Sequence, residues 1–311
     1  MKIFSIGTLF AIIAAFFWGT LSVFAKQLKL EGFTAADLSQ LRIYGVAIVL
    51  MIFAFFRRDF INIFSKKDIF FILSAGFLGQ ALNTYFYFLS VQTIPAGIAV
   101  LLEYLAPVFI GIIALFLGWE KLSKKMFLSF AFILTGLFLS IGYNIGFIEI
   151  HTKGIVFGLL SAISLAGYAL LSKPLLLIYS PLKILSFGIW AASIFWLCIK
   201  NPILILTKVA HSNLLLIIPS VFFIIFLSTL LPFWLYLSAI KYIGPTRATM
   251  IACLEPFFSS VMCAIFCDEI LTFQQYIGGI IVLLGIILLE SRNLTRNKED
   301  IKLILKKENK I

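Results

Sequence analysis

The chain has 311 residues, and 62% of them, about 193, are Ala, Val, Ile, Leu, Met, Phe, Trp, Tyr or Cys, against roughly 45–50% in an ordinary soluble domain. Only 13% are charged and the mean hydropathy is +1.09, which leaves too little polar surface for a soluble globule and too much apolar matter for a disordered chain. A hydrocarbon slab about 30 Å thick takes about 20 apolar residues per helix, so the composition predicts a polytopic membrane protein.

Breaking the sequence at its charges and turn residues predicts ten apolar helices, at 3–25, 35–56, 69–91, 95–119, 126–143, 155–171, 184–199, 214–240, 246–266 and 273–289. The third and fourth lie in one charge-free stretch, 69–102, divided only by the turn-like segment from Gln92 to Gly97. The first run is too long for a secretory leader and shows no small-residue cleavage site before Lys26, so it is expected to stay as a helix.

Of the 25 Lys and Arg residues, five fall on one side of such a bundle (Lys26, Lys29, Lys153, Lys200 and Lys208), nineteen on the side of the termini, and Arg42 inside the second span. That bias predicts cytoplasmic termini in an inner membrane. The net charge of +11 is then membrane anchoring and implies no nucleic acid. The basic tail, 292–311, either lies on anionic headgroups or stays solvated.

The four cysteines sit in apolar runs without C-x-x-C spacing and read as small buried hydrophobes, while His151 and His211 fall in predicted loops. No metal, cofactor or Ser/His/Asp chemistry is expected from such material, and no phosphate-binding loop is present.

Sliding the chain along itself aligns Pro107 with Pro256, Glu120 with Glu269, Leu122 with Leu271 and Gly136 with Gly285 at an offset of 149; near the start of each half, Gly7 meets Gly154 and Lys26 meets Lys173 at 147. The expected organisation is a first repeat at 1–148, a second at 149–291 and the tail 292–311. Five crossings per copy make the second copy face the opposite way, giving inverted repeats about an axis in the membrane plane.

Ala252-Cys-Leu-Glu-Pro256, Asp268-Glu269-Ile-Leu271, Tyr276-Ile-Gly278-Gly279 and Gly285 resemble the second EamA-type repeat of the drug/metabolite transporter superfamily. Phe17-Trp18-Gly19, Leu102 to Pro107 and Gly118 to Leu122 are similar to the first. The resemblance covers roughly residues 5 to 290. One departure is a tryptophan inserted before Glu120, and another is Phe266-Cys267-Asp268 before Glu269. The resemblance implies an all-α, ten-helix secondary transporter, not an enzyme, that moves a small organic metabolite and works in the export direction. Protons or an exchanged solute would be coupled to it. A lipid or polyprenyl-carrier flippase of the same fold is the alternative; a membrane-embedded lipid-modifying enzyme would need clustered acids that are absent here.

An ionisable group deep in a membrane helix costs about 2.5–3.5 kcal/mol on insertion scales and is read as functional by default. Glu103 and Glu255 qualify. Each either faces a wet cavity and binds a cationic group or proton, or plays a structural part; a protonated Glu255 would bond the Ala252 carbonyl that Pro256 leaves without its donor, or another helix. Pro107 and Pro256 are candidate hinges, and Glu120 and Glu269 candidate gate latches. Arg42 and Lys26 either neutralise a carboxylate or snorkel to an interface, and snorkelling is the expected course. Trp18, Asn83, Tyr85, Tyr87, Tyr104, Tyr168 and Trp234 complete the candidate cavity wall, since buried Tyr and Trp need a polar partner.

Overall fold

In hydrocarbon every backbone polar group must be satisfied inside its own segment, which an apolar chain of this composition achieves only as helices. The computed structural model describes residues 5–56, 65–94, 96–119, 123–140, 151–212, 214–267 and 272–308, and these residues contain helices and turns but no strand.

In chain order the bundle comprises α1 (Ile6–Leu30), α2 (Ala35–Phe56), α3 (Lys66–Val91), α4 (Gly97–Phe116), α5 (Lys124–Ser140), α6 (Thr152–Leu175), α7 (Pro181–Ile199), α8 (Ile217–Ile243), α9 (Pro245–Phe266) and α10, whose apolar part is Phe273–Glu290. Nine of these are long and apolar enough to cross a membrane among the described residues. The exception is α5, with 17 residues; the fifth span predicted from the sequence extends to 143, and its last three residues lie outside the described set. Helix α3 starts earlier than its first apolar residue because Ser65 accepts the Asp68 N–H at 3.1 Å and caps the turn that carries Lys66 and Lys67. A short helix, Ile203–His211, occupies the connection expected to be a loop before α8. It buries Ile205 against Leu28, Phe33 and Leu41 and leaves Leu204 and Leu206 exposed.

Local irregularities recur at the offset found in the sequence. A π-helical segment interrupts α3 at Phe77–Leu82 and α8 at Phe226–Leu230, and 77 and 226 are 149 residues apart. Helix α4 breaks between Glu103 and Ala106, and α9 between Ala252 and Glu255. Both breaks precede a proline, which supplies no N–H and crowds the carbonyl four residues back. Around them the chain makes i→i−3 bonds: the Leu105 N–H to Leu102 at 3.1 Å and the Leu254 N–H to Ile251 at 3.0 Å.

The packing is reciprocal as well. Helix α1 packs on α8 and α9, while α6 packs on α3 and α4; α2 faces α7, and α5 lies along α10. A Cβ at Gly7 would sit 2.7 Å from Tyr242 and 2.8 Å from Ile243, and one at Gly154 would sit 2.5 Å from both Thr93 and Ile94, the residues 149 positions earlier. Glycine is required at both places because α1 presses against the last turn of α8 and α6 against the turn that follows α3, each in the other half. The core lies where these contacts converge, lined by Ala11, Ala14, Ile43, Tyr168, Tyr236 and Ile251. Large apolar side chains such as Phe55, Phe116 and Phe127 point outward from the bundle, as lipid-facing residues do.

The cysteines depart in part from expectation. Cys253 and Cys263 are buried, but Cys198 is exposed on the outer side of α7 and Cys267 is intermediate. In a bilayer an outward Cys is already in an apolar phase, so the sequence imposes no need to bury it.

Candidate binding cavity

A cavity of about 610 Å³ opens between the two halves, within the range of about 300–1,000 Å³ typical of small-molecule sites. Its wall is drawn mainly from the second half of α1, the start of α2, the end of α3, α4 up to its break, Phe233 and Tyr236 of α8, and α9 on both sides of its break. Most of these are helix ends that lead into the α1–α2, α3–α4 and α9–α10 connections, so the mouth is on the face of the bundle away from Ser5.

The charged groups among the lining residues are Arg42, Glu103 and Glu255. Glu103 ends the first half of α4, where the break turns its carboxylate toward α3. There Oε1 accepts from Asn83 Nδ2 at 2.7 Å. The same amide nitrogen donates to Ser161 on α6, to Oγ at 3.0 Å and to the backbone oxygen at 3.2 Å. Asn83 is the first residue after the π-helical segment, and the Asn83 N–H bonds the Leu78 oxygen five residues back. One extra residue in that turn rotates Asn83 and Tyr87, one turn apart, onto the cavity side.

Glu255 opens the second half of α9. Its Oε2 accepts the Tyr104 hydroxyl of α4 at 2.7 Å, a bond to another helix rather than to the Ala252 carbonyl. Tyr104 sits in the α4 break, so a side chain at one helix break holds the carboxylate at the other. Pro256 lines the cavity beside it, and Pro107 is buried one turn beyond Tyr104.

Arg42 corrects the sequence reading. It does not snorkel to an interface but lines the same cavity as Glu103 and Glu255. Its Nε is buried without a hydrogen-bond partner, and none of the ion pairs among the described residues includes it. The sequence carries the signal: Arg42 is a cation well inside an apolar run, and the cost argument that singles out the glutamates applies to it equally.

Of the predicted wall, Trp18, Asn83, Tyr87, Glu103, Tyr104 and Glu255 line the cavity. Trp18 meets Phe233 edge to face, with ring centroids 5.0 Å apart, and lies 5.4 Å from Tyr236. Three aromatics are placed elsewhere. Tyr85 turns to α7 and packs on Phe195 at 5.8 Å. Tyr168 lies behind the wall, 6.3 Å from Tyr236 and under Gly79. Trp234 is 37% exposed on the outer surface near Phe10. Glu120 and Glu269 fall outside the described residues.

Near the mouth lies a second charged cluster, one that sequence reasoning misses. Asp37, fully buried, pairs with Lys200 and with Lys208 at 2.7 Å. It also accepts from the Thr34 N–H and hydroxyl, both at 2.8 Å, and Lys208 donates to the Gly32 oxygen at 3.1 Å. This ties the start of α2 to the end of α7 and to the short helix after it. In the sequence these lysines read only as loop charges, because their carboxylate partner lies more than 160 positions away.

A bundle of apolar membrane helices, broken at matched points around a charged cavity, defines the protein as a multi-pass membrane transporter. The chain belongs to the EamA-like transporter family, which matches residues 5–142 and again 152–291. It is 26% identical over 306 residues to YicL, an uncharacterized inner membrane transporter of Salmonella typhimurium, covering 93% of this chain and 97% of that one. An uncharacterized transporter of Archaeoglobus fulgidus is 29% identical over 202 residues, 65% of this chain and 70% of its own. A solved crystal structure at 16% identity matches with a TM-score of 0.73 over 93% of this chain and 98% of its own, and shares the fold.

Proposed function

We propose that the chain is a secondary transporter that moves a small organic solute by alternating access, with both termini cytoplasmic and export as the working direction. The observation that carries this reading is an asymmetry between matched half-helices. In Pro245–Ala252 every residue but Arg247 is buried, although Thr249 and Ala252 touch the cavity. In the corresponding stretch of the first half, Ala99 is the buried side chain among the described ones, while Gly97, Val100 and Glu103 face the cavity. Two halves of similar build thus stand in two different states, one splayed and one packed. Exchanging those states would close the present mouth and open the opposite face, which is the motion inverted repeats allow.

Within this reading 1–148 and 149–291 are the two moving units. Glu103 and Glu255 hold the solute or a coupling proton at the centre, and the breaks before Pro107 and Pro256 are hinges. Glu120 and Glu269 remain candidates for latching each closed face. The aromatic and apolar wall suits a solute with an apolar body rather than a strongly hydrated one. The cavity is small beside a lipid with long tails, which favours a soluble solute over the flippase alternative.

The test works with an unidentified solute. Liposomes containing the purified chain are loaded with a small-metabolite extract and diluted into buffer without ATP, and retained solutes are measured by mass spectrometry. A subset should leave faster than from protein-free liposomes. Identical retention of every solute, including amphipathic ones, would overturn the reading.

A further inference from the structure

We propose that the short helix Ile203–His211 is docked in the surface of the bilayer, with Ile203, Leu206 and Ala210 seated among phospholipid acyl chains just beneath the headgroups of the leaflet on the mouth side. This contact depends on the chain's residence in a membrane and not on which solute it moves.

The level of the helix follows from its neighbours. Ile205 is buried in a cluster with Leu28 from the last turn of α1, Phe33 from the α1–α2 connection, Leu41 from the second turn of α2 and Ile217 from the start of α8. All four stand where spans enter or leave the membrane, so the helix packed on them lies at the same boundary. With nine residues it rises only about 14 Å, less than half the hydrocarbon thickness, and is no span.

Its sides divide three ways. With Ile205 toward the bundle, the helical period puts Leu206, Ala210 and Ile203 roughly 100–160° around on one side, and Lys208, Leu204 and Thr207 roughly 60–160° around on the other. The first arc is wholly apolar and outward: Ile203 is 61% and Leu206 67% exposed, and Ala210 is exposed too. The second carries the polar residues, with Leu204 as the apolar one among them. A helix with an apolar arc beside a polar one suits the headgroup boundary, where one side meets acyl chains and the other meets water. The spans it joins also expose apolar side chains at their near ends, Leu197 and Ile199 of α7 and Leu215 and Ile218 at the entry to α8. The apolar arc therefore continues their lipid-facing surface.

The Asp37 cluster fixes the helix to the bundle. Lys208, on the polar arc, and Lys200, just before the helix, both pair with Asp37 of α2. Ala35, Leu38 and Ser39 on either side of Asp37 line the cavity. Docking the helix in the leaflet thus sets the depth of one wall of the mouth.

The experiment reads depth directly. In a background without the four native cysteines, Leu206→Cys and Thr207→Cys are made separately, labelled with a nitroxide and reconstituted into phosphatidylcholine vesicles. Spin relaxation is measured with molecular oxygen, which concentrates in hydrocarbon, and with a water-soluble nickel chelate, which does not enter it. The oxygen-to-nickel ratio should be several-fold higher at Leu206 than at Thr207, one position along the same helix. Should Leu206→Cys fail to fold, Ile203→Cys on the same arc replaces it and should give the same contrast. Equal ratios at the two positions, whether both wet or both dry, would overturn the proposal. A Leu206 label shielded from both reagents and broadened by a second label would assign the arc to another copy of the chain and overturn it as well.

Discussion

Glu255→Gln abolishes most solute release from liposomes while leaving the protein folded. The reason lies in what glutamine keeps and what it gives up. Its carbonyl oxygen still accepts the Tyr104 hydroxyl, which lies 2.7 Å from the present carboxylate, so the bridge between the two helix breaks survives. What disappears is the ionisable group, and with it a charge-assisted hydrogen bond to the guest worth about 1.5–3 kcal/mol. That corresponds to roughly a 10- to 150-fold loss of apparent affinity. Tyr104→Phe makes the complementary change. It keeps the charge, removes the neutral donor and should cost only about 1 kcal/mol, or about fivefold. Release measured side by side for the two variants, with monodispersity checked for each, decides the matter. If Glu255→Gln transports normally, the carboxylate is structural.

The second large effect is on stability, and it comes from a single methyl group. Helices α3 and α7 cross at Gly76 and Gly188. A Cβ at Gly76 would stand 2.0 Å from the Gly188 Cα and 2.5 Å from its carbonyl carbon and oxygen. No side chain is there to swing away; backbone meets backbone. Overpacking ordinarily costs about 1–3 kcal/mol and occasionally more, and here relief requires two whole helices to separate. Gly76→Ala should therefore cost about 3 kcal/mol or more, a fall in melting temperature on the order of 6–12 °C. Gly188→Ala should be milder, because a Cβ there would meet the Gly76 Cα at 3.0 Å. The corresponding crossing in the other half is built differently: Ile225, 149 positions after Gly76, lays its side chain over Gly45. Thermal melts of the parent chain and the two variants read the difference directly. Equal stability of Gly76→Ala and the parent chain would show that α3 and α7 do not cross as described.

How far the sequence foretells this arrangement depends on which physical signal each feature leaves. The spans are legible because a membrane crossing requires a long apolar run, and the repeat is legible because Pro107 and Pro256 and their neighbours recur at a fixed spacing. The helix breaks follow from the prolines. Glu103 and Glu255 stand out because charge in hydrocarbon is costly. Arg42 is open to the same argument, but its nearness to the start of α2 suggests snorkelling instead.

The aromatics are harder to assign, since residue type alone does not say which way a helix face points. Tyr85 lies two residues from both Asn83 and Tyr87, about 200° around the helix from each, so all three cannot share one face. Trp234 similarly sits about 100° from Phe233 and points outward, while Phe233 and Tyr236, three residues apart, face inward together. The π-helical segments and the Asp37 cluster leave no sequence signal: the former add one residue to a turn, and the latter joins residues that only tertiary folding brings together.

Access to the cavity from each face is the most direct test of the central claim. In a background without the four native cysteines, Val100→Cys and Thr246→Cys are made separately and treated with a membrane-impermeant thiol reagent from one side of sealed vesicles at a time. Val100 lines the present cavity and Thr246 is buried in the packed half of the bundle. The account predicts that the Val100→Cys thiol reacts from the face bearing the α1–α2 connection and that the Thr246→Cys thiol reacts from the opposite face, more slowly. A ligand that slows one should speed the other. A Thr246→Cys thiol that never reacts, or two positions that both react from the same face, would contradict alternating access.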